Sequence, residues 1–228
     1  MKKSIKRMIA DIEGEVEYTR TLIGKNRLDP GVMGAMARVP RDAFVPDDLK
    51  RHAFDNGPLP IGHGQTISQP YIVALMTDLL QPKQDHIVLE VGTGSGYQTA
   101  VLSQLVVKVY TIECVKALGE AAEKRLQGLN YTNIEYRTGN GYEGWSGHAP
   151  YDAIIVTAAA SHIPQALIEQ LKPGGRLVIP VGFPYMPQEL MLIEKDEEGA
   201  VHTHDILGVS FVPLQGEKPA NRDDTTLH

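Results

Sequence analysis

Cysteine is almost missing from this chain: Cys114 is the only one in 228 residues. A lone thiol cannot close an internal disulfide and suits a reducing compartment, so a cytoplasmic setting is expected. No apolar run reaches transmembrane length. The one cationic cluster, Lys2, Lys3, Lys6 and Arg7, is not followed by the apolar core of a signal peptide. No membrane partner is expected. A surplus of positive charge is lacking as well: the net charge is −6, and no basic stripe marks a nucleic-acid binder. No His, Cys, Asp or Glu cluster has ligand spacing, so no metal is expected. Repeats and low-complexity tracts are absent. What is present is an ordinary 42% hydrophobic content, enough for a sizeable core in one large domain or a domain with appendages.

The chain is organised around Ile87-Val88-Leu89-Glu90-Val91-Gly92-Thr93-Gly94-Ser95-Gly96. Its first five residues predict a buried strand of the parallel-sheet kind. Three alternating glycines turn the chain, and Tyr97 to Leu105 predicts a helix. Strand, turn and helix form the first βα unit of a doubly wound sheet. The dinucleotide fingerprint G-x-G-x-x-G is not met, because Tyr97 stands where its last glycine belongs. A second strand is expected over Val106 to Ile112. It ends at Glu113, about 20 residues past Gly92, where an acid can accept hydrogen bonds from ribose hydroxyls.

The pattern E-x-G-x-G-x-G resembles the first motif of the S-adenosylmethionine-dependent methyltransferases. The resemblance implies S-adenosyl-L-methionine as cofactor. The turn Gly92, Thr93, Gly94, Ser95 and Gly96 would face its methionine half, and Glu90 would lie near its cationic end. The alternative is a glycine turn without a ligand.

Around this unit the chain reads in order. Ile5, Met8, Ile9, Ile12 and Val16 predict an amphipathic helix, interrupted by Gly14. Asp29-Pro30 starts another helix, with an acid at the N-cap and proline in the first turn. Residues 1–80 are therefore read as a helical cap and loop, 81–218 as the core and 219–228 as a frayed polar tail. Pro58 to Tyr71, with three prolines and two glycines, is expected to be a shaped loop feeding a helix over Tyr71 to Leu80. Later elements are a helix over Val115 to Leu129, strands over Asn133 to Arg137 and Asp152 to Thr157, and a helix from Ser161 to Leu171. A turn at Lys172 to Gly175 then leads into a strand over Arg176 to Val181. Glu189 to Glu194 and Val201 to Val209 predict a closing hairpin whose place in the sheet is open.

The segment Leu59-Pro60-Ile61-Gly62-His63-Gly64-Gln65-Thr66-Ile67-Ser68-Gln69-Pro70 resembles the active-site loop of the protein-L-isoaspartate O-methyltransferases. Arg38-Val39-Pro40-Arg41, Glu90 to Gly96, Tyr151 to Ala158 and Phe211-Val212-Pro213-Leu214 match the same family. The likeness covers about Val39 to Leu214. It implies a mostly parallel α/β sheet of the methyltransferase type, with an N-terminal helical cap and a C-terminal hairpin. It also implies methyl transfer to the α-carboxylate of L-isoaspartyl residues in damaged peptides and proteins, initiating repair through a succinimide. By the resemblance Ser68 is the active-site residue, and Thr66, Ile67, Gln69 and Val212 join it in binding the acceptor. The family's usual Gly-Asp-Gly is here Gly139-Asn140-Gly141, so Asn140 would meet the adenine amino group without a charge. Cys114 would line the adenine pocket.

Other readings of these residues exist. The Ser68 hydroxyl can cap the helix that starts at Pro70, a role compatible with acceptor contact. His63 reads as an exposed loop histidine, and Tyr142 and Trp145 as packing residues. An acceptor other than an isoaspartyl residue, such as a small carboxylic acid, or a non-catalytic cofactor-binding protein, are the competing functions. A monomer is expected.

Overall fold

The structure is a computed structural model that describes residues 3–183 and 186–216. The expected tail, 219–228, and Lys2 lie outside the described residues. Helix α1 (Lys3–Ile23) buries Met8, Ile12, Val16 and Ile23 along one face. Gly14 falls on its solvent side, where a Cβ would meet nothing within 4 Å, so the glycine does not break the helix. Helix α2 (Pro30–Arg38) starts as Asp29-Pro30 predicts. The Asp29 carboxylate accepts from the N–H groups of Gly31 at 2.7 Å and Val32 at 3.3 Å. Asp29 N–H in turn donates to the Asp78 carboxylate at 2.6 Å, and Lys25 pairs with the same group.

The stretch expected as a loop over Pro58 to Tyr71 holds a small hairpin instead. Strands β1 (Leu59–Gly62) and β2 (Gln65–Ile67) pair antiparallel, with Leu59 opposite Ile67. His63 and Gly64 form the turn after Gly62, and all three have positive φ. Strands of four and three residues, one containing Pro60, are too short for alternation to stand out. Helix α3 (Pro70–Leu79) follows directly.

The main sheet is built from β3 (Ile87–Val91), β4 (Lys108–Glu113), β5 (Ile134–Thr138), β6 (Tyr151–Val156), β7 (Leu171–Val181), β8 (Gln188–Lys195) and β9 (Val201–Val209). Its order is β5-β4-β3-β6-β7-β8-β9. The first five run parallel, and β8 and β9 close the edge antiparallel. Helices α4 (Tyr97–Ser103), α5 (Lys116–Gly128) and α6 (Gln165–Glu169) connect the parallel strands. The chain steps from β3 to β4 and β5, then returns to β6 on the other side of β3. A doubly wound sheet opens a crevice at such a reversal, beyond the carboxyl ends of the strands.

Two further elements differ from expectation. The helix expected from Ser161 is only Gln165–Glu169, because Pro164 disfavours helical backbone at Ile163 and itself becomes the N-cap. Strand β7 begins at Leu171, not at Arg176. Lys172 to Gly175 lie inside it as an irregularity, between the pairs Tyr151–Leu171 and Ala153–Arg176. The cap and the sheet share one hydrophobic core: Met8 and Val16 of α1 belong to the same buried cluster as Val88, Ile155 and Leu190.

Candidate active site

At the end of β3 the chain turns over β4. Gly92 N–H donates to the Ile112 carbonyl at 2.8 Å, and Gly96 N–H to that of Thr93 at 2.8 Å. Gly92 has φ of +99°, and a Cβ there would collide with Thr157 Oγ1, which itself donates to the Gly92 carbonyl at 2.6 Å. Gly96 has φ of +85°, and its missing Cβ leaves room for Leu126 of α5. The first position keeps the main chain bare toward the crevice, whereas the last serves helix packing.

Beside this turn lies the cofactor-side cleft. Gly92, Gly94, Glu113, Cys114 and Gly141 line it from the sheet, and Val212 to Gln215 wall it from the opposite side. Thr93 and Ser95 border a narrower recess running under the turn toward Ile67 and Ser68. Glu113 is more than a ligand candidate. One carboxylate oxygen accepts from Gly94 N–H at 2.7 Å and the other from Val115 N–H at 2.9 Å, so it braces the turn against α5. The Cys114 residue is exposed, yet its sulfur faces Glu113 and Gln215 at the cleft. Local burial, and then the Glu113 charge, push the thiol up to about 11, which keeps it protonated at neutral pH.

Glu90 is not where the motif implied. It is fully buried beneath the turn, at 0% exposure, because its strand is covered on both faces. Thr99 and Thr111 donate to one oxygen, and Thr111 also shares a hydrogen bond with Thr93. The other oxygen has no partner among the described residues. Burial pushes the acid up to about 8 against the opposing threonine hydrogen bonds. Burial thus favours its neutral form, and in this setting it supports the turn from beneath.

Asn140 also departs from expectation. Its oxygen accepts from Tyr142 N–H at 3.0 Å and its amide donates to Glu143 at 3.2 Å, capping the short turn Gly141–Glu143. The neighbouring Gly141, not Asn140, lines the cleft. Tyr142 and Trp145 pack against the second buried cluster, and Trp145 meets Tyr110 edge to face.

A second, more open cleft lies outside the first, lined by Pro58, Thr66, Ser68, Gln69, Glu189 and Phe211, among others. Thr66 lines both this cleft and the cofactor-side one, and Ser68 lines it together with the recess under the turn. Ile67 alternates away from them into the core at 3% exposure, so the structure makes it a packing residue at the floor of the recess. Val212 lies on the cofactor-side wall, not in the outer cleft. The N-cap of α3 is Gln69, whose own side chain makes no capping bond. His63 sits exposed at the hairpin tip.

Sequence reasoning singled out no role for Arg41. It is wholly buried, donates to the Ala53 carbonyl at 2.8 Å and to the Ser68 carbonyl at 2.7 Å, and lies over the Tyr97 ring at 4.6 Å. Burial lowers its pKa. An arginine between two prolines is a weak signal, since its partners are 12 and 27 residues away. Among the described residues no group of three His, Cys, Asp or Glu side chains is placed to hold a metal, and no helix is long and apolar enough to cross a membrane.

A bare glycine turn, an acid at the next strand end and a walled cleft fit an adenosyl cofactor. The profile of the family described as protein-L-isoaspartate(D-aspartate) O-methyltransferase (PCMT) matches residues 19–219. The chain is 60% identical over 211 residues to protein-L-isoaspartate O-methyltransferase 2 of Polaromonas sp., covering 92% of this chain and 100% of that one. It is 58% identical over 210 residues to the protein of the same name from Syntrophobacter fumaroxidans, covering 92% and 85%. A solved structure from Plasmodium falciparum, described as a beta-aspartate methyltransferase (PCMT) in complex with S-adenosyl-L-homocysteine, superposes with a TM-score of 0.71 at 25% identity, over 90% of this chain and 97% of that one. A structure named protein-L-isoaspartate O-methyltransferase shares the fold at a TM-score of 0.81 and 23% identity, over 93% of this chain and 66% of that one.

Proposed function

The chain belongs to the protein-L-isoaspartate(D-aspartate) O-methyltransferase family, and on that premise we propose how its two clefts divide the reaction. It transfers a methyl group from S-adenosyl-L-methionine to the α-carboxylate of L-isoaspartyl residues in damaged peptides and proteins, the step that initiates repair through a succinimide. The cofactor supplies an activated methyl group on a cationic sulfur. Gly92 and Gly94 leave bare main chain for its methionine half, and the Glu113 carboxylate keeps acceptor capacity for ribose hydroxyls. Cys114 and Gly141 border the remaining length.

The acceptor carboxyl titrates near pH ~4 and arrives ionised, so no strong general base is needed. This agrees with an acceptor loop of Thr66, Ser68 and Gln69. Those groups hold and desolvate the carboxylate, with Ser68 as the residue touching it. Such positioning can supply on the order of 7–11 kcal/mol. The observation that supports this reading is that Thr66 lines both clefts, so a single residue would stand between acceptor and donor. The protein is placed in the cytosol as a monomer without nucleic-acid partners, a reading supported by its single cysteine and net charge of −6.

The test is transfer of a radiolabelled methyl group to matched peptides differing only in an isoaspartyl or aspartyl linkage. Label is expected in the isoaspartyl peptide alone. Equal labelling of the two would remove the assigned specificity.

A further inference from the structure

Gln188 opens β8, 4% exposed and paired with Val209 of β9. Past Val209 the chain leaves the sheet, and the Gln188 side chain takes over as its pairing partner. Oε1 accepts from Phe211 N–H at 2.6 Å, and Nε2 donates to the Phe211 carbonyl at 3.1 Å. A primary amide used this way offers the donor and acceptor that a neighbouring peptide group would have offered. Two further bonds fasten the next residues beyond the end of β6: Ala159 N–H to the Val212 carbonyl at 2.8 Å, and Leu214 N–H to the Ala159 carbonyl at 2.8 Å. The strap so formed faces two ways. Phe211 lines the outer cleft, and Val212 to Gln215 wall the cofactor-side cleft.

We infer that Gln188 is a positioning residue that couples the two ligands: by holding Phe211 it makes the strap one body, so that acceptor and cofactor each tighten the other. A ligand that orders one end of the strap reduces what the second ligand must order at the other end. Linkage requires the effect to be reciprocal. The inference rests on the methyltransferase reading for the identity of both ligands.

The experiment titrates S-adenosyl-L-homocysteine into the full chain by calorimetry, with and without a saturating isoaspartyl peptide. In the unmodified protein the peptide should tighten binding by about fivefold or more. Gln188→Met, which keeps the length and removes both bonds, should reduce that ratio to below about twofold. Gln188→Glu keeps the acceptor for Phe211 N–H and loses the donor to the carbonyl, so its ratio should fall between the two. If Gln188→Met does not fold, judged by its Tm, the Glu variant decides on the same criterion. A peptide that is methylated yet leaves cofactor-product affinity unchanged overturns the inference while leaving the activity intact. Variants that weaken each ligand but keep the ratio overturn it as well. A peptide neither bound nor methylated overturns the acceptor reading, and the coupling with it.

Discussion

The proposed cofactor side and the proposed acceptor side of this molecule are built around different kinds of residue. The first is centred on the bare main chain of one local turn, Gly92 to Gly96 after β3, with Glu113 of the adjacent strand as brace, and its outer walls come from Cys114, Gly141 and Val212 to Gln215. The second is assembled from pieces far apart in sequence: the β1–β2 hairpin, the start of β8 and the strap after β9. Where the backbone itself makes the site, the decisive residues are those with little or no side chain. Where distant pieces meet, the decisive residues are long polar side chains such as Arg41 and Gln188, which reach main-chain carbonyls on another segment. Faults on the cofactor side should therefore act on binding, and faults on the acceptor side on transfer.

The largest effect on ligand binding should come from Gly92→Ala. An L side chain at φ of +99° is strained, and its Cβ would collide with Thr157. Cofactor affinity is expected to fall about 100-fold or more, some 2.7 kcal/mol, measured calorimetrically. Retained affinity would show that the turn can relax.

Next is a pH effect from beneath the same turn. The Glu90 acid is raised from 4.5 to about 8 on folding. Between those values the folded state holds a proton that the unfolded state has released, so stability falls as pH rises, by about 1.4 kcal/mol per unit at most. Glu90→Gln removes that slope. Denaturant melts at pH 5 and pH 8 should show the variant gaining on the native chain at the higher pH; parallel curves would place Glu90 in a wetter setting.

A matched pair then sharpens the contrast. Glu113→Ala should weaken cofactor binding by about 1.5–3 kcal/mol, the range for hydrogen bonds to a charged group. Ser68→Ala should lower turnover on an isoaspartyl peptide by roughly tenfold or more, the loss of one hydrogen bond to an ionised carboxylate, with cofactor affinity unchanged. If the two variants cannot be told apart by kcat and Kd, the division of labour fails. The smallest effect belongs to Asn140→Asp: its oxygen still caps Tyr142 N–H, while a charge now faces Glu143. Cofactor affinity should move by less than about threefold; a larger gain would mean that this side chain reaches the cofactor directly.

The same contrast explains what could be read from sequence. The β3 turn, Glu113 and the Asp29-Pro30 start are local patterns, and each stands where the chain predicts. The hairpin at Leu59–Ile67 escaped because its strands are shorter than one reliable alternation. The shortened α6 was announced only by Pro164. Glu90 was identified by position but not by environment, since a motif gives no information on which face of the sheet is sealed. Arg41 and Gln188 were not legible as site-builders, because hydrogen bonds to a carbonyl carry no side-chain signature on the accepting residue.

The continuous core joining α1 to the sheet bears on how ligands get in and out. Rotating the helical cap away from the sheet would expose Met8, Val16 and Leu190 together, a breach of the hydrophobic core and not the swing of a lid. Traffic through the site must therefore depend on small pieces: the hairpin tip at Gly62–Gly64 and the strap beyond Val209. Each is a few residues long, and opening the strap would break only its bonds to Gln188 and Ala159, not the core. Exchange of cofactor for its product would then run on the time scale of loops, nanoseconds to microseconds, instead of the slower clock of domain closure.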